Sequence, residues 1–475
     1  MDAELTKSPL LTASPSRAIL KFSLPLIIGD FCQQLYNVVD AIVAGRFIGT
    51  NALAALGAAN PIMNIVIFLL IGFAMGGGVI MSRHFGKKDY EGLKTVMGNA
   101  LVIGVIFTLA FSIVSICLTN PFLKLLNTKD TLIGGADVYL KIVFAGAIFT
   151  YLYNFYCFAV RSVGDSFTPL IFLFVSVILN AALDVLFVVV YKMQIVGTAL
   201  ATVLAQMFSA FLCMLYTHRK FPILRLSKRH LAIDRRCIFE ITSYSLSMSI
   251  QQVFVYVGRL AIQGLVNTYP ENVVAGVNSG SRLDALLQTP MRGYTNALTT
   301  YVAQNMGAKK YKRAVDGYKA SWAAVAVFGV VSTLFTVFAG KWLVMLFDDN
   351  AEVIEAGTGY IVSIGAGYML MCIIVQSQAV FKAIGMLKTF VMSTFLSIVF
   401  RIGLSYLFEY LWGLDGMFWA PTASWVAGGT YCFAAMMIAY RKKLLPLAKS
   451  QQDMGFKGSA ALSAPKDTTE DEKKI

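Results

Sequence analysis

The stretch FSLPLIIGDFCQQLYNVVDAIVAGRFIG, residues 22–49, decides how the rest of the chain is read. At 1.5 Å per residue, a helix of this length crosses the ~30 Å hydrocarbon core of a bilayer. Yet it carries Asp30, Gln33, Gln34, Tyr36, Asn37 and Asp40. On a helix, Gln33, Tyr36, Asn37 and Asp40 recur at three- and four-residue spacings and share one face. A carboxylate inside hydrocarbon costs about 2.5–3.5 kcal/mol on insertion scales, so such a face turns toward a cavity or a partner. The competing reading is an Asp40 hydrated at the outer end of its helix. Pro25, which lacks an N–H, is expected to loosen or kink the same helix 15 residues before Asp40. It reads equally well as a gate and as an ordinary transmembrane proline.

Outward from this stretch the apolar signal recurs. Of the 475 residues, 57% are hydrophobic and only 14% charged, which excludes a soluble globular chain. Twelve apolar runs long enough to span are expected, near 20–46, 54–81, 95–119, 134–160, 168–191, 195–217, 239–267, 274–303, 317–340, 356–381, 388–409 and 416–440. The first is too long and too polar for a cleaved signal peptide. The net charge of +14 lies mainly in alternate loops. Arg83, Lys87, Lys88 and Lys94 follow the second run, and seven basic residues from Arg219 to Arg236 follow the sixth. Lys309, Lys310, Lys312 and Arg313 follow the eighth, and Arg441, Lys442 and Lys443 the twelfth. By the positive-inside rule this pattern puts both termini in the cytoplasm of a cell-membrane protein, with no role in nucleic-acid binding. The seven cysteines are scattered without a CxxC pair and read as small packing residues. His84, His218 and His230 fall in the basic loops and are expected to be solvated.

Between its polar ends the chain repeats itself. SRHFGKKDYEGLK (82–94) matches AQNMGAKKYKRAV (303–315), an offset of 221 as from Gly86 to Gly307. VRSVGDSFTP (160–169) matches FKAIGMLKTF (381–390) at the same offset, as does VILNAALDVLF (177–187) with SIVFRIGLSYLF (397–408). Six spans per repeat is an even number, so both halves insert the same way round. The expected fold class is an all-α integral membrane protein: twelve transmembrane helices in two six-helix bundles, related by a pseudo-two-fold axis along the membrane normal, with a central cleft. The division expected is a tail at 1–16, a first lobe at 17–217, a basic linker at 218–238, a second lobe at 239–443 and a disordered tail at 444–475. The first tail reads as a loose segment or a short surface helix.

The first lobe concentrates the polar chemistry. Asn180 and Asp184 lie four apart on the fifth span, and Thr198 and Thr202 four apart on the sixth. With Tyr36 and Asp40 they offer two carboxylates, an amide, a phenol and hydroxyls. Two carboxylates in a dry pocket cannot both stay charged cheaply, so one takes a proton or a cation neutralises them. An oxygen-rich set of this kind suits Na⁺, at Asp40, Asn180, Asp184 and Thr202, as well as H⁺. Interhelical hydrogen-bond glue is the alternative, but glue rarely needs two acids. The second repeat carries Arg401 in place of Asn180 and Ser405 in place of Asp184, which confines the acids to the first lobe. Arg401 is expected to face the cleft or a carboxylate, with Asp284 as the partner named. No GxxxxGK[ST], GxSxG or HExxH occurs, so neither ATP hydrolysis nor an enzyme activity is indicated.

From residue 15 to 443 the chain resembles the MATE family, the multidrug and toxic compound extrusion transporters, and most closely its DinF-like and MepA-like branches. The resemblance is carried by PLIIGDFCQQLYNVVDAIVAG, the paired G-KK-Y loops and ILNAALDVLF. It implies a first-lobe site for H⁺ or Na⁺ at Tyr36, Asp40, Asn180, Asp184 and Thr202, with Pro25 linked to bending of the first helix. A NorM-like cation site in the second lobe is disfavoured, because the seventh span has only Glu240 at its start and the tenth has no acid. The resemblance implies export of amphipathic, often cationic compounds in exchange for the ion, with no cofactor. Gln33, Asn37, Asn154, Asp284 and Arg401 are the candidates for substrate contact. Membrane lipids are the expected surroundings and a monomer the expected state. The runner-up is a lipid-linked oligosaccharide flippase of the same superfamily, with Arg259, Arg282 and Arg401 engaging a pyrophosphate. A membrane-embedded enzyme or receptor comes third.

Overall fold

The structure, a computed structural model, describes residues 8–43, 47–126 and 128–450, with the side chains of residues 35–43 and 50 outside the described residues. Every regular element among the described residues is helical. The first three spans are Pro15–Val43, Thr50–Lys87 and Tyr90–Leu125. The fourth is a bent pair, Asp130–Ala145 with Ala147–Ser162, turned by 46°. The fifth is Phe167–Asp184 extended by a π-helical turn, Val185–Val190, and the sixth is Gln194–Lys220. The second half repeats the scheme: Arg235–Val266, Glu271–Gly307, Tyr311–Val344, then the pair Ala351–Gly365 with Tyr368–Ile384, bent by 52°. Leu387–Ala439 supplies the last two spans, divided at Gly413, where φ is 66°. Expected runs such as 54–81 fall short of the helices because the polar ends continue as helix beyond the apolar core.

The half-repeat is visible in backbone detail. Gly164 and Gly385, related by the 221-residue offset, both end a helix in the left-handed region, at φ 97° and 81°. Lys88 and Lys309, also related, hold φ 59° and 57°, a conformation uncommon outside glycine. The matched G-KK-Y loops are therefore one turn built twice. Asp89 N–H returns to the His84 carbonyl in one copy, and Lys310 N–H to the Asn305 carbonyl in the other.

The helices are inside out by the standard of soluble proteins. On the third span Gly104, Thr108, Ser112, Ser115 and Thr119 face inward, while Ile106, Leu109 and Ile113 face out. The ninth span buries Gly329, Ser332, Thr336 and Gly340 and exposes Val327, Val331, Leu334 and Phe338. Small and hydroxyl-bearing residues at the packing face with large apolar ones outside is how helices associate where the solvent is lipid.

The lobes meet along the second and seventh spans and along the first and eighth. Ser245 Oγ donates to the Phe73 carbonyl at 2.7 Å, and Ser249 Oγ to that of Leu69 at 2.7 Å. Gly72 admits the Ser249 backbone, since a Cβ there would sit 2.6 Å from its Cα. Gly293 does the same for Ile27, with 2.6 Å to the Ile27 side chain. These contacts end near the pair Asn64 Nδ2 and Tyr256 Oη, 3.4 Å apart. Past them nothing lies within 4 Å of a Cβ built on Gly57 or Gly264. The cross-lobe contacts described are thus gathered toward the end carrying the basic loops.

Two surface segments are more tightly held than expected. The segment before the first span forms a short helix, Pro9–Thr12, that is docked: Leu10 is buried, and its carbonyl accepts from Asn305 Nδ2 at 3.1 Å. Residues 218–238 are also anchored. Asn99 donates to the Ala232 carbonyl at 3.1 Å and accepts from the Asp234 N–H at 3.0 Å. His230 is buried, contrary to the solvated histidine expected, with Nε2 3.2 Å from Glu91 Oε2. The tail from residue 451 lies outside the described residues.

Candidate functional site

Three groups of polar residues stand out. The first is the set of first-lobe residues expected to hold an ion. Asn180 and Asp184 are fully buried on one face of the fifth span, Thr198 is buried on the sixth and Thr202 half-buried. Asp184 is the last α-helical residue before the π turn. Such turns widen the helix and occur often at functional sites. The side chains of Tyr36, Asn37 and Asp40 lie outside the described residues. Pro25 sits inside the continuous helix Pro15–Val43, so it does not break it. Gln33 is exposed, and Asn154 donates to the Thr150 carbonyl of its own helix at 2.9 Å.

The second group belongs to the other lobe. Asp284 is buried between the eighth and tenth spans, where Tyr368 Oη donates to it at 2.9 Å and Gln288 Nε2 at 2.7 Å. Arg401 is not its partner: no ion pair joins them, and the buried Nε of Arg401 lacks an acceptor. The expected pairing failed because Tyr368, from a third helix, supplies the hydrogen bond that Asp284 needs. Ser405, which stands where the first lobe has Asp184, donates to the Arg401 carbonyl at 2.7 Å.

The third group closes the base of the cleft and obeys the repeat. Arg83 Nε donates across the lobes to the Ala383 carbonyl at 3.1 Å. Its counterpart Gln304 donates back to the carbonyl of Ser162, the counterpart of Ala383, at 2.8 Å. A Cβ on Gly86 would strike the Gln304 carbonyl, and one on Gly307 that of Arg83. Arg83 also reaches Glu240 at 3.3 Å and lies 4.8 Å from the Tyr244 ring centroid. Ser8 joins this closure, donating to Gln304 Oε1 at 2.9 Å.

Above the closure lies a small pocket of ≈ 30 Å³. Its lining falls largely into pairs related by the same offset: Met75 with Asn296, Gly78 with Thr299, Val79 with Thr300, Arg161 with Lys382. The pseudo-two-fold axis therefore runs through it. The basic pair escaped the reading from sequence, although the match of VRSVGDSFTP to FKAIGMLKTF already set Arg161 on Lys382.

Two equivalent six-helix lobes around a central pocket on their pseudo-two-fold axis define a membrane transporter built from parallel repeats. The sequence pattern of the MatE family matches residues 25–186 and 247–407, one match in each lobe, and the chain belongs to that family. It is a transporter and not an enzyme. It is 29% identical over 408 residues to "Probable multidrug resistance protein YpnP" of Bacillus subtilis (strain 168), covering 84% of this chain and 90% of that one. It is 23% identical over 429 residues to "Multidrug export protein MepA" of Staphylococcus saprophyticus, covering 90% and 94%. The crystal structure of MATE in the bent conformation superposes with a TM-score of 0.86 at 22% identity, covering 94% of this chain and 99% of that one.

Proposed function

We propose that the chain is a secondary active multidrug antiporter of the cell membrane that exports amphipathic organic cations in exchange for H⁺ or Na⁺ by alternating access. The observation that carries this is a fully buried carboxylate, Asp184, beside the buried Asn180, at positions where the second lobe has Ser405 and Arg401. The register of the first span supports the same pocket. Gly29 packs against Leu170 and Leu173 of the fifth span, which runs parallel to the first. Continued at 1.5 Å per residue along both helices, that register brings residue 40 level with residues 181–184. In this reading Asp40, Asp184, Asn180, Tyr36 and Thr202 hold the ion and Pro25 allows the first helix to bend. Gln33, Asn37, Asn154, Asp284 and Arg401 then remain candidates for substrate contact. In this reading the basic loops and both termini are cytoplasmic, so the end where the lobes are joined is the inward one. The lobes would be residues 17–217 and 239–443, acting as a monomer without a cofactor.

The test is efflux of a fluorescent organic cation from liposomes holding the purified chain, under an imposed H⁺ or Na⁺ gradient, beside Asp184→Asn. Gradient-driven movement lost in the variant is the expected result, and the gradient that works names the ion. Movement indifferent to both gradients, or intact in the variant, overturns the reading.

A further inference from the structure

The pocket on the pseudo-two-fold axis has a charge that the export of cations does not use. Lys382 is only 9% exposed, yet its side chain lines this pocket, with no carboxylate among the described residues within ion-pairing distance. Its Nζ lies 5.7 Å from the centroid of the Phe390 ring. Facing it from the other lobe, Arg161 lies 5.4 Å from the centroid of Phe158, and its buried Nε has no acceptor. Asp30 is an acid whose field reaches Arg161, though no ion pair joins them, and it also lies within the weaker field of Arg292.

The hydroxyls of the wall are turned to their own helices and leave the two cations as the pocket's charged groups. Ser82, Thr299 and Thr300 each give their hydroxyl hydrogen to a carbonyl of their own helix. Asn296, an amide at the pocket wall, adds two N–H donors. Leu26, Met75, Val79 and Phe158 supply an apolar wall. A buried, unpaired cation is costly, and the cost is relieved by an anion that brings its own charge. A guanidinium and an ammonium converging on one small space suit the oxygens of a carboxylate, phosphate or sulfonate.

We propose that this pocket binds the anionic headgroup of an amphipathic ligand, with Lys382 and Arg161 as its charge contacts and the apolar wall holding the adjoining carbon skeleton. As a binding site it stands apart from the efflux reading; as a substrate contact it rests on that reading and extends the cargo to anionic and zwitterionic amphiphiles.

The experiment uses the full chain in nanodiscs of pure phosphatidylcholine, with naphthalene-2-sulfonate as the probe and 2-methylnaphthalene as its neutral control. Binding is read by fluorescence and thermal unfolding in the wild type, Lys382→Met and Lys382→Arg. The wild type should bind the sulfonate and unfold at a higher temperature in its presence. In Lys382→Met the affinity should fall about tenfold or more, while the unliganded variant unfolds higher than the wild type because an unpaired charge has gone. Lys382→Arg should retain binding, and the neutral control should have no effect on any of them. A lowered unfolding temperature in Lys382→Met with sulfonate binding unchanged would overturn the proposal, as would equal binding of the neutral control. Discs doped with phosphatidylglycerol separate the two sources of such a headgroup. A shift caused by this lipid, present in the wild type and absent in Lys382→Met, assigns the site to a lipid. Sulfonate binding with no gradient-driven efflux would sink the efflux reading alone, and efflux without sulfonate or lipid binding would sink this one alone.

Discussion

The two lobes share a scaffold and differ in chemistry, and the difference shows which residues the scaffold does not need. At one buried position the first lobe has Asp184 and the second Ser405. Ser405 gives its hydroxyl to a carbonyl of its own helix, a contact that serves packing. A carboxylate in the equivalent place is expensive to bury, and the second lobe folds without one there. The base of the cleft tells the opposite story. There the lobes keep matched roles, Arg83 with Gln304 and Arg161 with Lys382, because closure takes place on the symmetry axis itself.

The sharpest way to break the comparison is to neutralise both members of the unequal pair. Asp184→Asn should reduce gradient-driven efflux by about an order of magnitude or more, equivalent to at least ~1.4 kcal/mol of coupling. Ser405→Ala should leave efflux within about twofold and stability within ~1 kcal/mol, as expected for a single helix-internal hydrogen bond. Transport assays on the two variants side by side check both, and equal losses would mean that the lobes share the ion chemistry.

Next comes the backbone contact at the axis. Gly86 and Gly307 each lie against a carbonyl of the other lobe, with no room for a side chain. Gly86→Val and Gly307→Val should each disfavour the closed base by about 1–3 kcal/mol, the usual cost of overpacking. Alkylation of a cysteine introduced at Ser162, approached from the basic-loop side, should rise correspondingly. Similar effects from the two variants would confirm that the axis runs between them; an effect at one alone would place it elsewhere.

Much of this was legible in the sequence, and the parts that were not share a cause. The repeat was readable because its markers are local: a turn with Lys88 or Lys309 in a left-handed conformation needs the residues beside it and little else. The buried Asn180 and Asp184 could be placed on one face from their spacing alone. The Arg401–Asp284 pairing failed because a third helix supplied Tyr368. His230 was expected in solvent but is held by Glu91, more than a hundred residues earlier in the chain. The turn after Asp184 changes from α to π in a run of valines that carries no signal for it.

The cross-lobe hydrogen bonds give a finer test of the matched base. Arg83 and Gln304 occupy equivalent positions and reach equivalent carbonyls, but only Arg83 is charged and only Arg83 also meets Glu240. A charged hydrogen bond contributes roughly 1.5–3 kcal/mol and a neutral one roughly 0.5–1.5. Arg83→Gln, which makes the two sides chemically alike, should therefore weaken the closed base more than Gln304→Ala, by about a factor of three to ten in the population open to the cytoplasm. Spin labels on the basic-loop ends of the second and eighth spans would read that population by distance. The reverse order would show that Gln304 carries the closure, through the Ser8 hydroxyl that binds its Oε1 and the docked segment behind it.

The smallest effect distinguishes those routes. Ser8→Ala removes one neutral hydrogen bond at the point where the segment before the first span touches Gln304 and the turn at Gly164. Leu10, Leu11 and Ala13 would still be gripped by Asn305, Lys310 and Arg313 through their carbonyls. The variant should thus shift the cytoplasm-open population by no more than about threefold, or ~0.7 kcal/mol. Adding Arg313→Ala, which frees the Ala13 carbonyl and leaves that of Leu10 to Asn305 alone, should raise the shift beyond the sum of the single changes if the segment acts as one latch across both lobes. Simple additivity in the same distance measurement would mean that it merely covers the eighth span.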